Sequence, residues 1–280
     1  MKGIARTRRI RQGKTAFETF QNRFSRNAIF VPQSSFRVDM TKLDNSFGFS
    51  QVQPDERRDR IRHVFTAVAR RYDLMNDLTS LGIHRLWKRL LVKAAGATTG
   101  QLVVDLAGGT GDIAAQMSGA DRRVLVCDPS LAMMEAGRQR GDTAHVSWIA
   151  GEGEALPFAD NTVDTLTISF GIRNVTRLES ALSEIHRVLK PGGRLLCLEF
   201  SKPHWLIRPF YDAFSFLVIP RLGAWIAQAP EAYTYLIESI RRFPNQDAMS
   251  DLVREAGFAD VRYRNLGFGI ACLHIGTKAS

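Results

Sequence analysis

The sequence predicts an α/β fold: a mostly parallel sheet with helices on both faces. Three observations carry this. From residue 100 onward, short apolar runs alternate with amphipathic stretches in strand–helix order. The first run empties into a glycine-rich turn, VVDLAGGTGD (103–112). The amphipathic stretch RLESALSEIHRVLK (177–190) stops at Pro191-Gly192-Gly193 and a fresh apolar run follows.

In chain order, DERRDRIRHVFTAVARRYDLMN (55–76) reads as a helix, with Ile61, Val64, Phe65 and Val68 on one face and arginines on the other. Those arginines fit a solvated face or contact with anionic lipid. LGIHRLWKRLLVKAA (81–95) reads as a second helix ending before Gly96. QLVVDLAGGTGD is a strand entering the turn, and a helix starts at Ile113. RRVLVCD, HVSWIAGE, TVDTLTISF and GRLLCLEFSKP read as strands. PSLAMMEAGRQR, with Ser130 near its start, RLESALSEIHRVLK and DAMSDLVREAGF read as the helices between and after them. Residues 205–245 look helical and interrupt the alternation. DVRYRNLGFGIACLHIGTK then suggests a hairpin around Gly267 at the sheet edge. No internal repeat is present.

Composition narrows the function. The 280 residues are 45% apolar and 24% charged, ordinary for a globular enzyme. The net charge of +10 is concentrated: residues 1–39 hold nine basic against two acidic residues, leaving 29 against 26 in the other 241. The body is therefore near neutral, which argues against nucleic acid as partner. The basic segment resembles a mitochondrial presequence in composition, or else precedes a true start at Met40. No apolar run is long enough to span a membrane. Cys127, Cys197 and Cys272 have neither zinc nor disulfide spacing and read as buried small hydrophobes.

The glycine turn carries the first chemistry. Glycines there let backbone approach a ligand, but the dinucleotide fingerprint is absent and Asp105 ends the strand just before them. A carboxylate at that point repels a pyrophosphate and attracts a cation. This favours S-adenosylmethionine over a nicotinamide dinucleotide. Asp128 ends the next strand, where a carboxylate can accept both hydroxyls of a ribose.

Several stretches are familiar: RYDLMNDLTSLGIHRLWKR (71–89), DLAGGTGDIA (105–114), EALPFADNTVDTLTISFGIRNV (154–175), EIHRVLKPGGRLLCLEFSKP (184–203) and YLIESIRRFPNQ (235–246). Together they resemble the UbiE/Coq5 family, from near FGFSQV (47–52) to about residue 278. SFGIRNV and RYDLMND with GIHRLWK are the most specific of these. The resemblance implies a class I S-adenosylmethionine-dependent methyltransferase with a Rossmann-like seven-stranded sheet. Residues 1–44 are then a basic extension and 45–280 the methyltransferase domain, with a helical lid over 45–100 and a helical insertion over 205–245. The implied reaction is methylation of a ring carbon of a polyprenylated benzoquinol or naphthoquinol. The resemblance implies cofactor contacts at Thr110, Asp128, Glu152, Gly153 and Ser169, to which the reading of the glycine turn adds Asp105, Gly109 and Gly111.

For catalysis the candidates are Arg173, to favour a ring phenolate electrostatically, Asn174, to hold a substrate oxygen, Tyr72 with Asp73 in a lid, and His84 as a group of suitable pKa. A structural salt bridge of Arg173 with Asp73 or Glu199 is the other reading of that arginine. Phe210, Tyr211, Phe214, Phe216, Leu217 and Ile219 suit either a prenyl slot or ordinary core. A lipid substrate without a membrane span implies peripheral membrane contact. A homodimer or a quinone-biosynthesis complex is also compatible. The compact spacing leans toward a bacterial, cytoplasmic protein, with the matrix side of the mitochondrial inner membrane as alternative.

Two departures from the family pattern stand out. Glu152-Gly153 occupies the place of Asn or Asp followed by Ala, and Ala229 and Ala232 replace an Asp and a Ser before the SYxYL tyrosine. A methyltransferase for another small phenol and a non-catalytic scaffold in quinone synthesis are the remaining readings. A nucleic-acid methyltransferase fits less well, because SFGIRN stands where an Asn-Pro-Pro-Tyr type of element holds a flipped base.

Overall fold

The computed structural model describes residues 43–69, 76–77, 80–218 and 230–280. The basic segment 1–39, Tyr72, Asp73, Ile219 and Ala229 lie outside the described residues. Seven strands form one sheet: β1 Leu102–Leu106, β2 Arg123–Asp128, β3 Val146–Ala150, β4 Val163–Ser169, β5 Leu189–Phe200, β6 Phe258–Leu266 and β7 Ala271–Lys278. Their spatial order is β3-β2-β1-β4-β5-β7-β6, and only β7 runs antiparallel to its neighbours. The hairpin expected at the edge exists, but its second strand enters the sheet between β5 and β6.

The helices are α1 Pro54–Val68, α2 Ile83–Ala95, α3 Asp112–Met117, α4 Leu131–Arg138, α5 Leu178–Val188, α6 Arg208–Ala213, α7 Pro230–Arg242 and α8 Gln246–Glu255. A π-helical turn, Phe214–Val218, extends α6. Ser130 caps α4 by accepting from the Met133 amide at 3.3 Å. Helix α5 stops at Val188, three residues before Pro191, and β5 starts at once. It pairs Leu189 with Val163, then shifts register over Lys190–Gly193 before resuming at Arg194.

Alternation along β1 sends Val103 and Val104 to opposite faces, both fully buried. On one face Val104, Leu106 and Ile168 pack against Leu178, Leu182 and Ile185 of α5 and Val253 of α8. On the other, Val103, Val126 and Leu198 pack against Leu91 of α2 and Ile113 and Met117 of α3. The three cysteines are free and buried. A third cluster joins Ile61, Val64 and Val68 of α1 to Tyr233, Tyr235 and Ile237 of α7. That contact holds α1 across the carboxyl ends of the strands, where ligands bind in open α/β sheets.

Candidate functional site

The parallel register brings Asp105 beside Thr167, whose Oγ donates to Asp105 Oδ1 at 2.8 Å. Oδ2 of Asp105 has no hydrogen-bond partner among the described residues, and burial pushes this carboxyl up to about 7. Gly108 passes directly over it: a Cβ there would lie 2.7 Å from Oδ2. Gly111 then takes φ +76° as the residue before α3, a conformation that suits glycine.

Asp128, at the tip of β2, accepts from the amides of Gly109 (2.9 Å) and Ser130 (2.7 Å). Burial raises its carboxyl to about 6, against these two bonds. Each oxygen keeps capacity for a further hydrogen bond, and Asp128 lines the cleft. The tips of β1 and β4 also hold two non-glycine residues in the left-handed region, Ala107 (φ +50°) and Phe170 (φ +56°). Such backbone conformations concentrate where a ligand is received.

The cleft encloses about 850 Å³, its open mouth included. Of the expected cofactor residues it is lined by Gly109, Asp128, Glu152 and Gly153, and Asn174 joins them. Asp105, Thr110, Gly111 and Ser169 do not line it. Asp105 and Thr110 are buried, Gly111 caps the start of α3, and the Ser169 hydroxyl is buried while Phe170 and Gly171 face the cleft. The opposite wall is one face of α1: Arg58, Ile61, Arg62 and Phe65. Arg58 and Arg62 thus border the cleft while keeping about half their surface in solvent, and Arg60 stays on the exposed face. Arg58 and Arg62 lie 3.4 and 3.7 Å from the Glu152 carboxylate. Arg57 is buried and donates to the backbone carbonyls of Ser46 (2.7 Å), Arg173 (3.1 Å) and Val175. The spacing of Arg58, Arg62 and Phe65, four then three residues apart, is a helix-face signal present in the sequence.

A second cleft of about 520 Å³ adjoins the first, and Phe65 and Phe170 line both. It contains Arg173, His84, Asn76, Ser80 and Tyr235. Arg173 and Asn174 are thus neighbours in sequence that line different chambers. Arg173 is buried, donates to Glu199 Oε1 at 2.9 Å and to the Phe170 carbonyl, and lies 5.6 Å over the Phe200 ring. The ion pair with Glu199 is the one the sequence offered as the structural alternative. Burial raises the Glu199 carboxyl and Arg173 opposes the rise. Asn174 Oδ1 accepts from the Tyr235 hydroxyl at 3.0 Å. His84 pairs through Nδ1 with Ser80 Oγ at 2.7 Å. Burial and the nearby Lys88 lower its pKa to about 4, out of the range expected of it.

A third cleft of about 350 Å³ shares Phe200 and Leu236 with the second and is lined by Tyr211 and Arg241. Of the expected slot residues, Tyr211 is in it and Phe214 packs on the third cluster. Phe210, Phe216 and Leu217 are exposed instead. Among the described residues no cluster of His, Cys, Asp or Glu could hold a metal ion.

The first cleft fits S-adenosylmethionine on its own geometry. Asp128 has lone pairs for a diol, Asp105 holds an unpartnered buried oxygen under the turn, and the glycines leave the backbone uncovered. Comparisons agree. The profile of the ubiE/COQ5 methyltransferase family matches residues 52–278. The "Ubiquinone/menaquinone biosynthesis C-methyltransferase UbiE" of Rubrivivax gelatinosus is 65% identical over 240 residues, 86% of this chain and 95% of that one. The protein of the same name from Escherichia fergusonii is 47% identical, over 86% of this chain and 99% of that one. An S-adenosylmethionine-dependent methyltransferase from Thermotoga maritima has a similar fold, with TM-score 0.56 at 21% identity over 78% of this chain and 99% of that one. The chain belongs to the ubiE/COQ5 methyltransferase family.

Proposed function

We propose that this protein transfers a methyl group from S-adenosylmethionine to a ring carbon of a polyprenylated quinol, in ubiquinone or menaquinone biosynthesis. The observation that carries this reading is the pair of chambers meeting at Phe65 and Phe170, one suited to the methyl donor and the other holding a buried arginine.

When bound, S-adenosylmethionine supplies an electrophilic methyl group with a neutral thioether as leaving group. The chain's own residues align the partners, a contribution of up to about 7–11 kcal/mol in well-oriented systems. Asp128 accepts the ribose hydroxyls, and the negative potential of Asp105 draws a cation to the glycine turn. A ring carbon becomes nucleophilic when the adjacent hydroxyl loses its proton. Arg173 favours that phenolate, and Asn174 holds an oxygen at the junction. With its pKa lowered to about 4, His84 is a weak base tied to Ser80, and we assign the proton to water. Tyr72 remains a candidate member of the lid.

The third cleft suits the start of the prenyl tail. A lipid substrate brings the protein to the membrane surface; among the described residues no helix is long and apolar enough to cross it. The relatives named above are bacterial, which favours the cytoplasmic face of that membrane. Assembly as a homodimer or in a quinone-biosynthesis complex is read from the mass of the protein in mild detergent.

The test is quinone profiling of a strain lacking the gene, with and without the gene restored, beside an assay of purified protein with a methyl-labelled donor. Accumulation of the unmethylated quinone, reversed by the gene, is expected. Normal quinones in the deletion strain, or methyl transfer only to an unprenylated phenol, overturn the reading.

A further inference from the structure

We infer that the apolar face formed by Trp205, Leu206, Phe210 and Phe216 seats this protein on a phospholipid bilayer and is the mouth through which the quinol's tail passes. The inference rests on the lipid-quinol reading for its substrate, but its surface is read from the structure alone.

Five of the twelve exposed large hydrophobic side chains among the described residues fall within 205–217. Single exposed apolar residues are ordinary; a cluster marks an interaction surface. Trp205 and Phe210 are 74% and 78% exposed, far beyond what packing against their own fold leaves open.

This face sits at the end of a row of cavities. The donor cleft shares Phe65 and Phe170 with the second cleft. The second shares Phe200 and Leu236 with the third. The third is lined by Tyr211 and Arg241, and the Arg241 guanidinium lies 5.3 Å from the ring centres of both Tyr211 and Phe216. Phe216 is half exposed, so Arg241 links the third cleft to this stretch of surface. A prenyl chain whose head sits at Arg173 has a path of aromatic and aliphatic walls leading outward. Its far end then meets apolar surroundings only if that surface is covered by something apolar.

A bilayer fits the composition. Tryptophan and phenylalanine beside basic side chains suit the boundary of headgroup and acyl chain. The stretch 201–218 carries Lys202 and Arg208 against a single acid, Asp212; the Lys202 ammonium is turned to the carbonyls of Ile240 and Arg241, so Arg208 is the basic group left to meet a headgroup. Asp212 is already paired with Arg241 at 2.5 Å. Arg208 is 68% exposed and available to lipid phosphate, with only a long 3.7 Å contact to Asp212.

The experiment uses the full chain and phosphatidylcholine vesicles containing a minority of phosphatidylglycerol. Wild type is expected to float with the vesicles, and Trp205→Ser/Leu206→Ser to bind them at least about a hundredfold more weakly, since two apolar side chains are lost from the buried face. The variant should turn over a quinol bearing one isoprene unit at the wild-type rate in buffer. On a long-chain quinol embedded in vesicles its rate should fall about tenfold. Wild type that does not float, or a variant that floats equally well, overturns the proposal. So does a double variant whose solution mass drops, because the face then covers protein. If wild type methylates neither quinol yet floats through this patch, the substrate reading fails and the docking surface stands.

Discussion

The hydroxyl of Tyr235 donates to Asn174 Oδ1 at 3.0 Å, and that bond turns the Asn174 amide nitrogen away from α7. Tyr235 is fully buried, stacked on Phe47 with ring centres 4.4 Å apart, and burial raises its phenol pKa, so it stays a donor. Meanwhile Arg57 grips the carbonyls of Arg173 and Val175 on either side of Asn174. A side chain and a backbone clamp thus fix one amide at the edge of the donor cleft.

Tyr235→Phe should lower kcat by about tenfold while leaving KM for S-adenosylmethionine unchanged, the cost of one lost orienting hydrogen bond. If Tyr235 acts through Asn174, adding it to Asn174→Ala should cause no further loss. Additive losses in the double variant would show that Tyr235 only supports the fold. Steady-state kinetics of the four proteins decides it.

Arg173 and Glu199 separate charge from architecture. Arg173→Ala leaves a buried carboxylate unpaired, at a cost of about 3–5 kcal/mol. Adding Glu199→Gln should return much of that stability by removing the orphaned charge. It should not return the rate, which is expected to stay at least about tenfold down, with S-adenosylmethionine binding retained. Denaturant melts together with turnover check this, and a double variant that regains both would reduce Arg173 to a structural role.

Much of this arrangement was legible beforehand. The strands β1 to β4 were visible because each apolar run is bracketed by a turn or a helix cap, as at Ser130. Asp128 was visible as a cleft residue because strand ends in such sheets face the ligand; Asp105, one residue before the end of β1, is buried under the turn instead. The insertion of β7 between β5 and β6 was not, since a hairpin looks the same in sequence whichever of its strands pairs with β5. The arginines of α1 misled for a related reason. The helix packs its apolar face on α7 and turns Arg58 and Arg62 to the rim of the donor cleft, so polarity alone pointed to solvent or anionic lipid and did not reveal their contact with Glu152. Nor did the sequence reveal that His84 is buried against Lys88, which removes it from the physiological titration range.

Glu152 links the basic face of α1 to the loop after β3. With both its oxygens near guanidinium groups, it holds the wall of the donor cleft as well as facing it. Glu152→Gln should therefore speed S-adenosylmethionine release, and release from wild type should quicken with salt, because half-exposed ion pairs are screened. Release from the variant should be indifferent to salt. Stopped-flow displacement at several ionic strengths measures this. Equal salt dependence in both proteins would rule out the ion pairs as the fastening. Gly153→Ala is a useful companion, since its Cβ would lie 3.1 Å from Val175 Cγ1 and push that side chain aside.

Asp105 predicts two pH dependences of opposite sign. Its folded pKa of about 7 lies above the ordinary 3.8, so the native chain holds this proton more tightly than the unfolded chain does. The resulting stability is fully present below about 3.8 and is lost as pH rises through 7. Binding a cationic donor runs the other way, because only the ionised carboxyl attracts it. Between pH 5 and 8, stability of the free protein relative to Asp105→Asn should fall, while affinity for S-adenosylmethionine relative to the same variant should rise. Thermal melts and calorimetric titrations over that range measure both slopes. If affinity ran parallel to stability, Asp105 would be a structural acid under the turn, and the attraction of the donor would have to come from Asp128 alone.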